Sequence, residues 1–413
     1  MAPAPTATLF SGEELAFPER GQNQSDTVPD AQVNEKYVRG EIRIVTEQAR
    51  YPLNSIKAIV ESDSYTLSPE YQRRHRWSQV QQSMLIESLI MNVPIPPIFL
   101  YEYDYSKYEV MDGLQRLTAI HEFYTDKFPL SGLVQWGELN GRTYSTLPEK
   151  IREGIDRRYL SSVILLKETA KSEEDALRLK QLVFERLNSG GARLTPQESR
   201  NAIFDGQLNR LCIKLSKNGA LCRLWDIPEP AAEEIAGGPP SEDRLQKEEF
   251  RKMEDVELVL RFFAYRQKAR LHRSGVPLSV YLDDYLRFGN TTFPTATLNK
   301  FETLFVETIS LVEDVLGEKA FWLYRRRGRE GNWTWSWLER AALTVYDPLM
   351  FVFSRHLADA ARMRDRSNQF QNAITDFYQA NYASFEGRNV NPSALVEREE
   401  KIEAFVAGIL AGP

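Results

Sequence analysis

At 413 residues, with 42% hydrophobic and 27% charged positions, the chain has the composition of an ordinary globular protein and is long for a single core, so two domains are expected. A formal charge of −6, from 52 basic and 58 acidic residues, argues against a chain that coats nucleic acid over its whole surface but leaves room for a local basic site. The cysteines, Cys212 and Cys222, are too few for a disulfide framework. No apolar run reaches the roughly 18–20 residues of a membrane span, and the N-terminus lacks the order of a signal peptide, so the expectation is a cytoplasmic chain with no membrane partner.

Residues 1–35, rich in Ala, Pro, Thr, Gln and Asp, read as a disordered tail. A first domain is expected over 36–205 and a second over 206–413. Ile42–Val45 has the look of a strand. Leu53, Ile56 and Val60 stand at helical spacing. A helix is expected over 78–91, with Leu85, Ile86, Leu89 and Ile90 on one face and Ser78 as N-cap, stopped by Pro94, Pro96 and Pro97. Ile98–Tyr101 and Tyr108–Met111 form two strands of a hairpin around Asp104-Tyr105-Ser106-Lys107. The second runs into Asp112-Gly113 and then a helix to about Tyr124. A strand over 161–166 precedes a helix over 173–187, and Thr195-Pro196 opens the next one. Beyond residue 205 the patterns are helical: 255–267, 298–315, 335–357, 368–378 and 398–410. The fold class is α+β, with an all-helical second domain.

The chemistry concentrates at Asp112-Gly113-Leu114-Gln115-Arg116. A strand feeding straight into a helix leaves the first helical N–H groups unpaired, a ready anion site. Gly113 would let a phosphate approach the backbone, and Arg116 carries a guanidinium suited to two-point oxygen contacts. Gln115 could hold a water or a base edge. On spacing alone a plainer arrangement stands beside this one, with Asp112 capping the helix and Arg116 pairing with a nearby carboxylate. Two further runs are Tyr71-Gln72-Arg73-Arg74-His75-Arg76-Trp77 and Phe184-Glu185-Arg186-Leu187-Asn188, the latter followed by Leu194-Thr195 and Glu198-Ser199-Arg200-Asn201. Each alone reads as a solvated face.

Taken in order, with Ile95-Pro96-Pro97-Ile98-Phe99-Leu100 between them, these runs resemble the N-terminal domain of GmrSD-type modification-dependent restriction enzymes, within the ParB/sulfiredoxin-like superfamily. The resemblance covers about residues 40–205. It implies an NTP-binding and NTP-hydrolysing module of a DNA-directed anti-phage system, acting on DNA directly or through a defence partner protein. By resemblance, Asp112, Gln115 and Arg116 take catalytic roles, while Gln72, Arg73, Gly113, Arg116 and Asn188 contact the nucleotide. Mg²⁺ is the expected cofactor, with Asp112 as its ligand. Two alternatives stay open: a ParB-like nuclease or nickase, and a non-catalytic DNA-sensing module with a decayed site. The family's motif has Gln where this chain has Leu114, which removes an amide that could orient water, unless Leu114 is a packing position.

Fused members often carry a histidine-based nuclease domain, whereas His75, His121, His272 and His356 stand in no His…Asn…His arrangement. In the second domain, Arg325, Arg326 and Arg327 lie near Trp333, Trp335 and Trp337. Such a cluster suits phosphates and stacked bases, with Trp335 the stacking candidate, or it is a helix-hairpin tip with core aromatics.

Overall fold

Strict alternation buries Ile98 and Leu100 on one strand, and the short apolar run Val110-Met111 is buried on the next. Those strands sit inside the five-stranded sheet of a computed structural model that describes residues 8–17, 29–39, 44–67, 74, 77–169, 172–188, 195–273, 275–329, 332–387 and 392–412. The chain divides into two units, Arg20–Thr195 and Met1–Glu19 with Pro196–Pro413. The architecture is mixed α+β, a sheet unit and a predominantly helical one.

In the sheet unit the described elements are α1 (Asp30–Arg39), β1 (Thr46–Pro52), α2 (Ile56–Val60), β2 (Tyr65–Thr66), α3 (Gln79–Ile90), β3 (Ile98–Asp104), β4 (Lys107–Asp112), α4 (Leu114–Tyr124), α5 (Glu149–Asp156), β5 (Tyr159–Leu165) and α6 (Glu173–Asn188). Strand order is β1-β5-β3-β4-β2. β3 is central, parallel to β5 and antiparallel to β4, and β2 adds parallel to β4. Ser78 caps α3 in a full capping box with Gln81. Leu85, Ile86 and Leu89 of α3 and Leu117, Ile120 and Phe123 of α4 pack in one core with Ile98, Leu100 and Val110.

The strand expected at Ile42–Val45 lies later. Residues 42 and 43 are outside the described residues, Ile44 and Val45 are exposed, and Thr46–Pro52 is the stretch that pairs with β5. β1 is an edge strand whose residues are mostly exposed, so it needs no apolar run, and its terminal proline is tolerated there.

The second unit is built mainly from α7 (Pro196–Ile203), α8 (Gln207–Leu215), α9 (Glu254–Tyr265), α10 (Leu278–Thr292), α11 (Thr295–Leu316), α12 (Leu343–Arg355), α13 (Ser367–Phe385) and α14 (Pro392–Ala411). Its core is aromatic, with the Phe263 and Phe301 rings stacked at 4.6 Å. Two expectations are corrected here. The unit is not all-helical: β6 (Trp322–Arg329) and β7 (Asn332–Ala341) form an antiparallel hairpin in place of the front of the helix expected from residue 335. Trp333-Thr334-Trp335-Ser336-Trp337 repeats with period two in β-favouring residues, which outweighs the helical spacing that begins at Leu343.

The second correction concerns the tail. Residues 8–17 pack into this unit, with Glu13 and Leu15 buried. Arg266 grips the Glu13 carboxylate at 2.7 and 2.9 Å, and the Gln267 amide donates to the Glu13 carbonyl at 2.6 Å. Phe17 stacks on Phe288 at 5.4 Å. Composition hid this because the anchoring comes from Glu13, Leu15 and Phe17, scattered through polar sequence.

Candidate functional site

The strand–turn–helix at residues 107–124 folds as its sequence suggests. β4 ends at Asp112, Gly113 takes φ +95° and ψ 12°, and α4 starts at Leu114. A Cβ on Gly113 would stand 2.4 Å from Ile98 Cγ2, so both the left-handed backbone and the closeness of β3 require glycine. The room left by the missing side chain is filled by Ile98. No side chain caps α4, which leaves its first N–H groups without helical partners.

Arg116 is mostly buried. Its Nη2 donates to Asp112 Oδ2 at 2.6 Å, and its Nη1 donates to the carbonyls of Pro97, at 3.1 Å, and Pro96. One guanidinium therefore joins the end of β4, the first turn of α4 and the proline segment before β3. Asp112 itself remains about half exposed. Gln115 Oε1 accepts from the Trp77 N–H at 3.1 Å, so the side chain expected to hold water or a base edge also fixes the entry to α3. Leu114 is partly buried against the core of the sheet unit, as a packing residue would be.

Gln72, Arg73 and the side chain of Asn188 lie outside the described residues. Of their neighbours, Arg74 is buried and Trp77 packs against the core. Sequence reasoning passed over Lys180 on α6, whose ammonium donates to both Glu109 oxygens at 2.7 and 2.8 Å, three residues before Asp112. Its signal was a lysine four positions before the buried Phe184, on the face a helix turns inward. A buried cation there offsets part of the negative charge at the end of β4.

Among the described residues no three His, Cys, Asp or Glu side chains converge as metal ligands. Asp112, expected as the Mg²⁺ ligand, has one oxygen held by Arg116. His121 pairs with Glu61 at 3.1 Å, His356 with Glu403 at 2.6 Å, and His272 with the Val276 carbonyl at 2.8 Å.

In the other unit, Arg325, Arg326 and Arg327 lie on β6 opposite Ser336, Trp335 and Thr334 of β7. Trp335 is half-buried, edge-on to Tyr382 of α13 at 5.4 Å, and stacked with Tyr324 at 5.7 Å.

Residues 56–204 match the family model described as "GmrSD restriction endonuclease, N-terminal domain". The match takes in most of the sheet unit, from α2 through α6, together with α7. It contains Asp112, Gln115, Arg116 and Lys180. No curated protein and no solved structure matches the chain. No helix among the described residues is long and apolar enough to cross a membrane.

Proposed function

We propose that this chain is a component of a restriction-like, DNA-directed anti-phage system. In this reading its sheet unit binds and hydrolyses a nucleoside triphosphate and has the ParB/sulfiredoxin-like fold that the motif order suggests. The observation that carries the reading is the match of residues 56–204 to the GmrSD N-terminal domain. The uncapped start of α4, with a guanidinium one turn in, supports putting the phosphates there. Arg116 then divides its donors between Asp112 and phosphate oxygens, because a bare carboxylate beside a polyanion is repulsive. Mg²⁺ would be carried mainly by the phosphates, as that ion commonly is. Action on DNA falls to this chain or to a defence partner protein.

Calorimetric titration with each nucleoside triphosphate tests the nucleotide step. Arg116→Ala is expected to weaken binding by about 1.5–3 kcal/mol, the range for hydrogen bonds to charged groups. Melting must first establish an intact fold, since Arg116 also ties the proline segment. Equal affinity in wild type and variant removes the phosphates from this turn, and no heat with any nucleotide removes nucleotide binding. A second reading, DNA cleavage by the chain itself, is favoured by the family's description as a restriction endonuclease. Plasmid nicking with and without nucleotide separates the two.

A further inference from the structure

The β6–β7 hairpin lies outside the family match and has two unlike faces. Residues directly opposite in an antiparallel pair share a face, and the face alternates along each strand. Tyr324, Arg326, Trp333, Trp335 and Trp337 therefore line one side. That side is docked: Trp335 and Trp337 meet Tyr382 and Tyr378 of α13 edge-on, at 5.4 and 6.3 Å. Arg326 lies on it too, its guanidinium 5.0 Å from the Trp333 ring and 5.1 Å from the Tyr382 ring, although Arg326 and Trp333 both remain exposed.

The opposite face carries Arg325, Arg327, Thr334 and Ser336. Arg327 and Thr334 are exposed. Among the described residues no carboxylate pairs with Arg325 or Arg327. At the cross-strand pair Arg325–Ser336, both Arg325 Nε and Ser336 Oγ are shielded from water without a hydrogen-bond partner. Unmet polar groups of this kind are rare and call for an explanation.

We propose that this face binds the phosphate backbone of duplex DNA, with Arg325 and Arg327 as the contacting cations. The proposal rests on the DNA-directed reading above and deepens it by naming the element and the mode. Two arginines two residues apart on a strand have Cα atoms about 6.8 Å apart, a separation that lets their side chains reach successive phosphates of one strand. A two-stranded ribbon is also of a size that fits the major groove. The chain is acidic overall, so DNA binding calls for a local basic face of this kind. Trp335, which the sequence offered as a stacking platform, is instead the residue that fastens the ribbon to α13.

The test is fluorescence anisotropy of a labelled DNA duplex with the full chain over a salt series. Each phosphate neutralised contributes about 0.9 to the slope of log K against log salt. R325Q/R327Q is expected to flatten that slope by about 1.8 and to weaken binding alike for unrelated sequences. R326Q, which removes the same charge from the docked face, should change it less than either single variant on the other face. Melting of all variants controls for folding. DNA binding with an unchanged slope in R325Q/R327Q overturns the hairpin assignment and leaves the DNA-directed reading standing. Absence of DNA binding in wild type overturns the hairpin assignment and leaves action on DNA to a partner protein, while nucleotide titration judges the sheet-unit site separately. Preference for an RNA duplex, lost in the double variant, overturns DNA as the occupant.

Discussion

Leu114 stands where the motif that this sequence resembles has Gln, and its surroundings decide what it does. Its side chain packs against the core of the sheet unit, on the helix that also buries Leu117. Leu114→Gln therefore sets a polar amide against apolar neighbours, which costs about 1–3 kcal/mol where the amide finds no partner. The expected outcome is a lower melting temperature and no gain in nucleotide turnover. Faster turnover at unchanged affinity would instead assign that position a water-orienting role. Glu254, at the start of α9, offers a pH signature. Burial, the largest influence, holds its carboxyl above the usual 4.5, against a hydrogen bond from Trp225. A carboxyl raised in the folded state binds more protons folded than unfolded just above pH 4.5. Its stability contribution is thus complete below that pH and is lost as pH rises through the raised value. Glu254→Gln should remove this slope from a plot of melting temperature against pH, and an identical slope in the variant would assign it elsewhere.

The turn between β4 and α4 shows how much an element's sequence discloses. Asp-Gly after a short apolar run and before a helical pattern made the strand, the turn and the helix legible. The plainer of the two arrangements holds only in part: Arg116 does pair with a carboxylate, but that carboxylate is Asp112 itself, which does not cap the helix. Ile98 against Gly113 was not legible, because it depends on which strand lies beside β4. Gly113→Ala should destabilise the sheet unit by about 2–4 kcal/mol, combining a strained left-handed backbone with overpacking against Ile98. Chemical denaturation checks this, and a loss under 1 kcal/mol would mean that β3 can move aside. The hairpin β6–β7 failed to be read for a different reason. Its period-two tryptophans abut a strong helical repeat, and the longer signal absorbed the shorter. Lys180 was hidden because a lysine on a helix usually faces water, and only the position of Glu109 on β4 turns it inward. Gln72, Arg73 and Asn188 lie where no side chain is described, so the motif alone speaks for them.

In the whole molecule, the sheet unit is an insertion between residues 19 and 196 of the helical one. Glu13 is fully buried and held by Arg266, so Glu13→Ala strands a buried guanidinium, an error that costs about 3–5 kcal/mol when one partner of a buried pair is removed. Denaturation of the full chain should show that loss in the helical unit. Unchanged stability would make residues 8–17 a passive strap. This arrangement also sets an order of events during synthesis. The segment holding Glu13 leaves the ribosome well before its partners Arg266 and Gln267, which follow some 253 residues later. The intervening sheet unit can fold from contiguous sequence meanwhile, since domains form as units as they emerge. The helical unit must wait, the Glu13 segment unpartnered until Arg266 and Gln267, just after α9, have been made. A nascent chain cut short before α9 would carry a finished sheet unit without a completed helical one.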